Sequence, residues 1–62
     1  MNRQNDSILS LLEVKAQTNL SRPTIYRRME RSDFPARVRL GPGRVGWWQS
    51  EISDWLQSRP RA

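Results

Sequence analysis

The sequence predicts a mainly α-helical domain that carries one small β-hairpin. Two serines, Ser10 and Ser21, each precede a short amphipathic segment and suit helix N-caps. A third apolar stripe at helical spacing lies near the C-terminus. Between them, Gly41-Pro42-Gly43 forms a turn signal that separates two short segments of strand character. Two adjacent helices followed by a hairpin and a third helix have the order of a winged helix-turn-helix.

Length and composition exclude several classes of protein. A chain of 62 residues allows one domain, which buries only about 60% of its unfolded surface. The chain has no cysteine and no histidine, which excludes a disulfide framework and argues against a structural zinc site. No apolar run approaches the roughly 18 residues that span a bilayer, and Met1–Asp6 lacks a signal-peptide core. We expect a soluble, cytoplasmic protein without cofactor, metal or membrane partner.

The excess positive charge is concentrated in the middle third of the chain. Residues 22–44 hold seven arginines against two acidic residues, which accounts for the whole formal net charge of +5. Ten of the eleven basic residues are arginine, whose planar fork suits phosphates and guanine edges. This distribution predicts a polyanion as partner. An acidic membrane surface is the weaker alternative, because the basic segment is not a long amphipathic helix.

The first helix is expected from about Leu11 to Thr18. Ser10 and Glu13 fit a capping box, and Asn19 suits the left-handed position that ends a helix. Ile8-Leu9 is expected to be an extended segment against the core. The buried side of the helix is predicted to comprise Leu11, Leu12, Val14 and Ala16.

The second helix is expected to begin at Ser21 or Arg22 and to end near Arg31 or Ser32. Ile25 and Met29 share its apolar side. The opposite side carries Pro23, Thr24, Arg27 and Arg31, with Arg28 flanking them. A helix of this kind suits the major groove of DNA, which admits one helix. The alternative is the solvated basic face of an ordinary surface helix.

The hairpin follows Asp33-Phe34-Pro35. The Phe34 side chain is expected to pack under the C-terminal end of the second helix. In the strand Val38-Arg39-Leu40, the side chains of Val38 and Leu40 are predicted to face the core and that of Arg39 to face solvent. In the return strand, Val45 and Trp47 are predicted to share one face. Three arginines would then point outward: Arg37, Arg39 and Arg44. Such a wing can contact the DNA backbone or the minor groove. A hairpin can also serve only to close the core, and we expect this one to do both.

The third helix is expected from Gln49 or Ser50 to Ser58, with Ile52, Trp55 and Leu56 on one stripe. Trp47 and Trp55 are predicted to be core residues, and Trp48 to be half exposed. The domain is predicted over residues 8–58, between a flexible arm at 1–7 and a tail at 59–62. Within the arm, Arg3 could reach a phosphate.

With these elements laid out, the chain resembles the AlpA family of small phage and prophage DNA-binding regulators. That family is related to excisionases and to the MerR-type winged-helix domain. The resemblance covers about Ile8 to Ser58. It is carried by the combination of these segments: Leu9-Ser10-Leu11-Leu12-Glu13-Val14, Thr18-Asn19-Leu20-Ser21-Arg22-Pro23-Thr24-Ile25-Tyr26-Arg27, Asp33-Phe34-Pro35, Val38-Arg39-Leu40-Gly41, Arg44-Val45-Gly46-Trp47, Ser50-Glu51-Ile52 and Trp55-Leu56.

The resemblance implies a winged helix-turn-helix that binds specific DNA through the second helix and the wing. Ser21, Arg22, Thr24, Tyr26 and Arg27 match the groove-facing stretch of the family, and Arg44 matches the basic residue after the wing turn. Asn19 replaces a usual glycine, Pro23 replaces a small polar residue, and Gly41-Pro42-Gly43 makes a stiffer wing tip. Residues and resemblance together nominate eleven DNA-binding residues: Ser21, Arg22, Pro23, Thr24, Tyr26, Arg27, Arg28, Arg31, Arg37, Arg39 and Arg44.

Catalysis and nucleotide binding are poorly supported. The segment from Gly41 to Gly46 satisfies G-x-G-x-x-G, but the predicted hairpin and the short chain leave no βαβ unit around it. Without histidine or cysteine the common nucleophile–base pairs are missing. Glu51 and Asp54 are better placed to complement a helix dipole than to form an acid–base pair. We predict that the protein is not an enzyme.

Three hypotheses about function remain. The first is a sequence-specific double-stranded DNA-binding regulator of phage, prophage or mobile-element transcription. The second is an excisionase that bends DNA and binds repeated sites cooperatively. The third is a small adaptor whose basic face meets an acidic protein. Expected partners are DNA, neighbouring copies on DNA, integrase or RNA polymerase. We expect a monomer in solution, because the long dimerisation helix of MerR-type proteins has no counterpart in this sequence.

Overall fold

The computed structural model describes residues 5–61, and predictions for Arg3 and the rest of residues 1–4 lie outside that range. Six elements occur in the described range: β1 (Ile8–Leu9), α1 (Leu11–Thr18), α2 (Arg22–Glu30), β2 (Val38–Gly41), β3 (Arg44–Trp48) and α3 (Gln49–Gln57). The predicted mainly helical fold with a small hairpin is confirmed. The expected extended segment is also confirmed, because β1 joins the hairpin as a third antiparallel strand in the order β1-β3-β2.

α1 begins and ends as its sequence predicts. The Ser10 hydroxyl accepts from the Glu13 N–H (3.2 Å), and the Glu13 carboxylate accepts from the Ser10 N–H (2.8 Å). Asn19 ends the helix at φ 60°. The predicted burial is wrong for two residues: Leu12 is 75% exposed and Ala16 is exposed. Positions two residues away from the buried Val14 lie on the opposite side of a helix.

α2 is capped by Ser21, whose hydroxyl accepts from the Thr24 N–H, so the N-cap is Ser21 rather than Arg22. Ile25 is fully buried and Met29 packs against the core, as expected. The helix stops at Glu30, and Ser32 takes a left-handed conformation (φ 58°) that turns the chain toward the wing. The Asp33 N–H then returns to the Arg28 carbonyl at 2.8 Å, which satisfies an end carbonyl of the helix.

The hairpin turns at Pro42-Gly43, where Gly43 has φ 69°. Arg39 pairs with Val45 and Gly41 with Arg44, so Leu40 is an extra residue in its strand. This β-bulge interrupts the predicted alternation, and Leu40 is half exposed instead of buried. At the other edge of β3, a Cβ on Gly46 would collide with the Ile8 side chain and lie 2.9 Å from the Leu9 carbonyl oxygen. Only glycine therefore allows β1 to pair here.

The core comprises Leu9, Val14, Ile25, Phe34, Trp47 and Ile52. Phe34 and Trp47 are buried as predicted, and Trp48 is partly exposed as predicted. Trp55 is only partly buried, but it packs against the core and contacts Phe34 edge to face at 4.8 Å between ring centroids. Both indoles also anchor the loop before the wing: Trp47 donates to the Pro35 carbonyl and Trp55 to the Asp33 carbonyl.

The N-terminus of α3 is capped from the start of the described chain. Trp48 supplies no side-chain cap, and the Asp6 carboxylate accepts from both the Ser50 N–H (3.0 Å) and the Ser50 hydroxyl (2.7 Å). The Gln49 N–H donates to the Ser7 carbonyl. Asp6 and Ser7, which the sequence analysis assigns to the arm, therefore both contact the start of α3. None of the described helices is long and apolar enough to cross a membrane.

Candidate nucleic-acid interface

The exposed side of α2 carries most of the helical residues that the sequence nominates. Pro23, Arg27 and Arg31 are exposed, and Thr24 is partly exposed. The Ser21 hydroxyl donates to Thr24 Oγ1 at 2.9 Å, and Arg27 Nη2 donates to the same oxygen at 3.2 Å. These bonds hold Arg27 along the first half of the helix, the half that contacts base edges in helix-turn-helix proteins.

A groove of about 360 Å³ lies between α2 and the wing. Both elements contribute to it, and four of its lining residues are arginines. The lining comprises Arg22, Tyr26, Arg37, Arg39, Gly41, Gly43, Arg44 and Val45. We call this the arginine groove.

Tyr26 is the aromatic residue of the arginine groove, and it contacts both of its arginine neighbours. The guanidinium carbon of Arg22 lies 5.1 Å from the ring centroid, and that of Arg37 lies 5.4 Å from it. Arg37 Nη1 also donates to the Tyr26 hydroxyl at 3.3 Å. The ring meets the buried Trp47 edge to face, with centroids 6.5 Å apart. Tyr26 thus joins the groove to the core.

The arginine groove lacks acidic partners within residues 5–61. The salt bridges found in this part of the chain both involve Asp33, and neither involves a groove arginine. Unpaired guanidiniums on two facing walls produce a local positive potential, which attracts anions. No group of acidic residues that could hold a metal ion occurs in the described chain.

Arg28 lies apart from the other nominated residues. It pairs with Asp33 at 2.5 Å, and its guanidinium carbon lies 5.5 Å from the centroid of the Trp55 ring. Arg59 approaches the same two partners, at 3.6 Å from Asp33 and 4.4 Å from the Trp55 centroid. We call this group the Trp55 cluster. It ties the end of α2 to the end of α3, so Arg28 serves packing in this arrangement.

The structure thus sorts the eleven nominated residues into three groups. The arginine groove holds Arg22, Tyr26, Arg37, Arg39 and Arg44. The exposed side of α2 and its two caps hold Ser21, Pro23, Thr24, Arg27 and Arg31, and the Trp55 cluster holds Arg28. Sequence reasoning missed Val45 and the two wing glycines as groove lining, and it missed the stacking role of Tyr26. An aromatic residue four positions after an arginine on a helix was the available signal for that stack.

Residues 7–60 match the family described as prophage CP4-57 regulatory protein (AlpA). The chain belongs to the AlpA family. It is 39% identical over 64 aligned positions to a protein of Escherichia coli K12 named DNA-binding transcriptional activator AlpA, covering 94% of this chain and 91% of that protein. It is also 37% identical over 54 positions to the uncharacterized protein ORF88 of Enterobacteria phage P4. That alignment covers 87% of this chain and 61% of the phage protein.

The AlpA-family match includes all six described elements, the arginine groove and the Trp55 cluster. It begins at Ser7, whose carbonyl accepts from the first turn of α3, and ends beyond Arg59 of the Trp55 cluster. The resemblance expected over Ile8 to Ser58 is therefore confirmed at nearly the same limits.

Proposed function

We propose that this AlpA-family chain is a sequence-specific double-stranded DNA-binding protein that regulates transcription of phage, prophage or mobile-element genes. In this proposal α2 enters the major groove, and the wing contacts the adjacent backbone or minor groove. The E. coli relative is named a DNA-binding transcriptional activator, which agrees with this role.

The observation that carries the proposal is the arginine groove. Its arginines come from α2, from the segment before β2 and from both strands of the wing. The recognition helix and the wing therefore share one cationic surface, and no carboxylate in the described chain pairs with it. A duplex offers regularly spaced phosphates to such a surface, while the exposed side of α2 offers Arg27 to the bases and the exposed C-cap residue Arg31 lies at the other end of the helix.

The energetics are those of a single small module. Such a module buries roughly 600–1,000 Å² on DNA. If about five arginines neutralise phosphates, the logarithm of the affinity should fall with the logarithm of salt concentration at a slope of about −4.5. One bidentate arginine–guanine contact adds about 1–3 kcal/mol of discrimination.

The test begins with selection of bound sequences from a random duplex pool, followed by fluorescence anisotropy on the recovered site. We expect Arg27→Ala to weaken binding to that site by about 1–3 kcal/mol and to relax the preference at one position. Lys15→Ala is the matched control, since it removes one positive charge from an exposed position on α1. Recovery of no motif, or equal effects of the two variants, would contradict the assignment of α2.

A further inference from the structure

We propose that Tyr26 is a positioning residue, which holds Arg22 and Arg37 so that the arginine groove binds a phosphate of the DNA backbone. This inference rests on the proposed function. It assigns Tyr26 an indirect role: the ring acts through two guanidiniums and does not read a base.

The position of the Tyr26 ring is determined by the core. Its edge-to-face contact is with Trp47, which is fully buried. The same indole donates to the Pro35 carbonyl, two residues before Arg37. One buried side chain therefore fixes both the ring and the start of the segment that brings Arg37 to it.

The contacts at Tyr26 suit the binding of an anion. Each guanidinium has five N–H donors. Arg37 gives one of them to the Tyr26 hydroxyl, and its remaining donors stay available for phosphate oxygens. Arg22 and Arg37 come from separate elements and both lie within 5.5 Å of the one ring centroid. Two positive charges in contact with one ring repel each other, and a phosphate bound by these guanidiniums would reduce that repulsion.

The same contacts argue against direct base readout by Tyr26. Its hydroxyl already accepts a hydrogen bond from Arg37, and its ring is partly buried and in contact with two arginines. The hydroxyl therefore keeps only part of its hydrogen-bonding capacity for another group. The arginines, in contrast, are both exposed.

The experiment measures the affinity for the selected duplex against salt concentration, for the whole chain and its variants. Tyr26→Phe keeps the ring, and we expect its affinity to stay within about threefold of the parent because the exposed hydrogen bond contributes little. Tyr26→Leu keeps an apolar contact for Trp47 but removes the ring. We expect it to lose about tenfold in affinity and to reduce the salt slope by about 1 to 2.

The deciding comparison repeats Tyr26→Leu in a chain that already carries Arg22→Ala and Arg37→Ala. If the ring acts through these arginines, its removal should then change affinity by less than about twofold, since the coupled effect is already lost. A further tenfold loss in that background would overturn the positioning role and assign Tyr26 a contact of its own.

A second variant keeps the test valid if Tyr26→Leu fails to fold, which a thermal melt detects. Arg22→Lys with Arg37→Lys preserves the charge but loses the planar stack. We expect this double variant to bind about tenfold more weakly than the parent, with an unchanged melting temperature; parental affinity would overturn the role of the ring. A parent chain that binds no duplex at any salt concentration would overturn the proposed function itself.

Discussion

Two aromatic rings of this small domain each hold a pair of arginines, but only one pair has a carboxylate. Arg22 and Arg37 lie at Tyr26, whereas Arg28 and Arg59 lie at Trp55. Asp33 pairs with both arginines of the Trp55 cluster, and no acidic residue of the described chain pairs with those of the arginine groove. All four guanidinium carbons lie 4.4–5.5 Å from a ring centroid, so both pairs have a ring contact and only the carboxylate distinguishes them.

The comparison shows how one residue type serves two purposes within one helix. Arg27 and Arg28 are neighbours on α2, yet Arg27 is exposed and Arg28 is partly buried against Asp33. A neutralised cluster contributes its hydrogen bonds and stacking to the fold. An unneutralised cluster keeps its charge available for a polyanion. The predictions that follow test whether the two clusters can be separated in this way.

The largest expected effect is on stability, at the ring of the Trp55 cluster. Trp55→Ala removes the edge-to-face contact with Phe34, the hydrogen bond to the Asp33 carbonyl and the surface on which both arginines stack. We expect a loss of about 3 kcal/mol in the free energy of unfolding, near the lower end for tryptophan truncation because Trp55 is partly exposed. Urea denaturation followed by circular dichroism measures it.

Trp55→Phe is the control for that variant, because it keeps a ring and loses only the indole N–H and some area. It should cost clearly less than Trp55→Ala. If Trp55→Ala instead left stability intact and reduced DNA affinity of the folded chain, the Trp55 cluster would belong to the binding surface. The division between the two clusters would then be wrong.

A second prediction places a carboxylate in the arginine groove, which makes it resemble the Trp55 cluster. Arg39→Glu removes one guanidinium and offers a partner to the remaining three. We expect the affinity for the selected duplex to fall about a hundredfold at moderate salt, with the salt slope reduced by about 2, since two phosphate contacts are lost. Anisotropy titrations at several salt concentrations measure both quantities.

The melting temperature of Arg39→Glu should stay equal to that of the parent or rise, because the substitution relieves like-charge repulsion at an exposed position. Arg61→Glu is the matched charge reversal, at an exposed residue outside the groove. Equal losses of affinity in the two variants would mean that net charge alone determines binding. The groove would then have no particular place in recognition.

The elements of the fold were predictable because their signals are local. Three helix-end signals act within a few residues and appear as expected: the capping box of Ser10 and Glu13, the left-handed Asn19 that ends α1, and the N-cap Ser21 of α2. α2 stops at Glu30, just before the predicted end at Arg31 or Ser32, but the left-handed conformation of Ser32 had no such signal, because a serine at positive φ is uncommon and here depends on the chain turning toward the wing. The Leu40 bulge likewise depends on cross-strand pairing, which short-range alternation does not describe.

The site was predictable in its charge but not in its pairing. Counting arginines indicated the cationic third of the chain, which supplies all four groove arginines. It could not separate Arg28, which pairs with Asp33, from its neighbour Arg27. Asp33 follows the end of α2, where it pairs with Arg28. Only the fold also brings Arg59, from the end of α3, to the same carboxylate. The cap that Asp6 supplies to Ser50 is the same kind of feature, since it joins the start of the described chain to α3. Contacts between distant segments have no periodicity for a single sequence to display.

The smallest expected effect concerns the carboxylate itself. Asp33→Asn leaves Arg28 and Arg59 at Trp55 without their counter-ion while keeping the shape of the side chain and the backbone carbonyl that Trp55 uses. The three charged side chains of this cluster are 28–41% exposed, so solvent screens the pairs and the loss should stay below about 1 kcal/mol. It should shrink further at high salt, which urea denaturation at two salt concentrations can measure. Because the variant removes one negative charge at the Trp55 cluster and changes no charge in the groove, its salt slope for the specific duplex should equal that of the parent. A steeper slope would show that Arg28 and Arg59 reach phosphates once Asp33 releases them, and the carboxylate would then be what keeps these two arginines out of the interface.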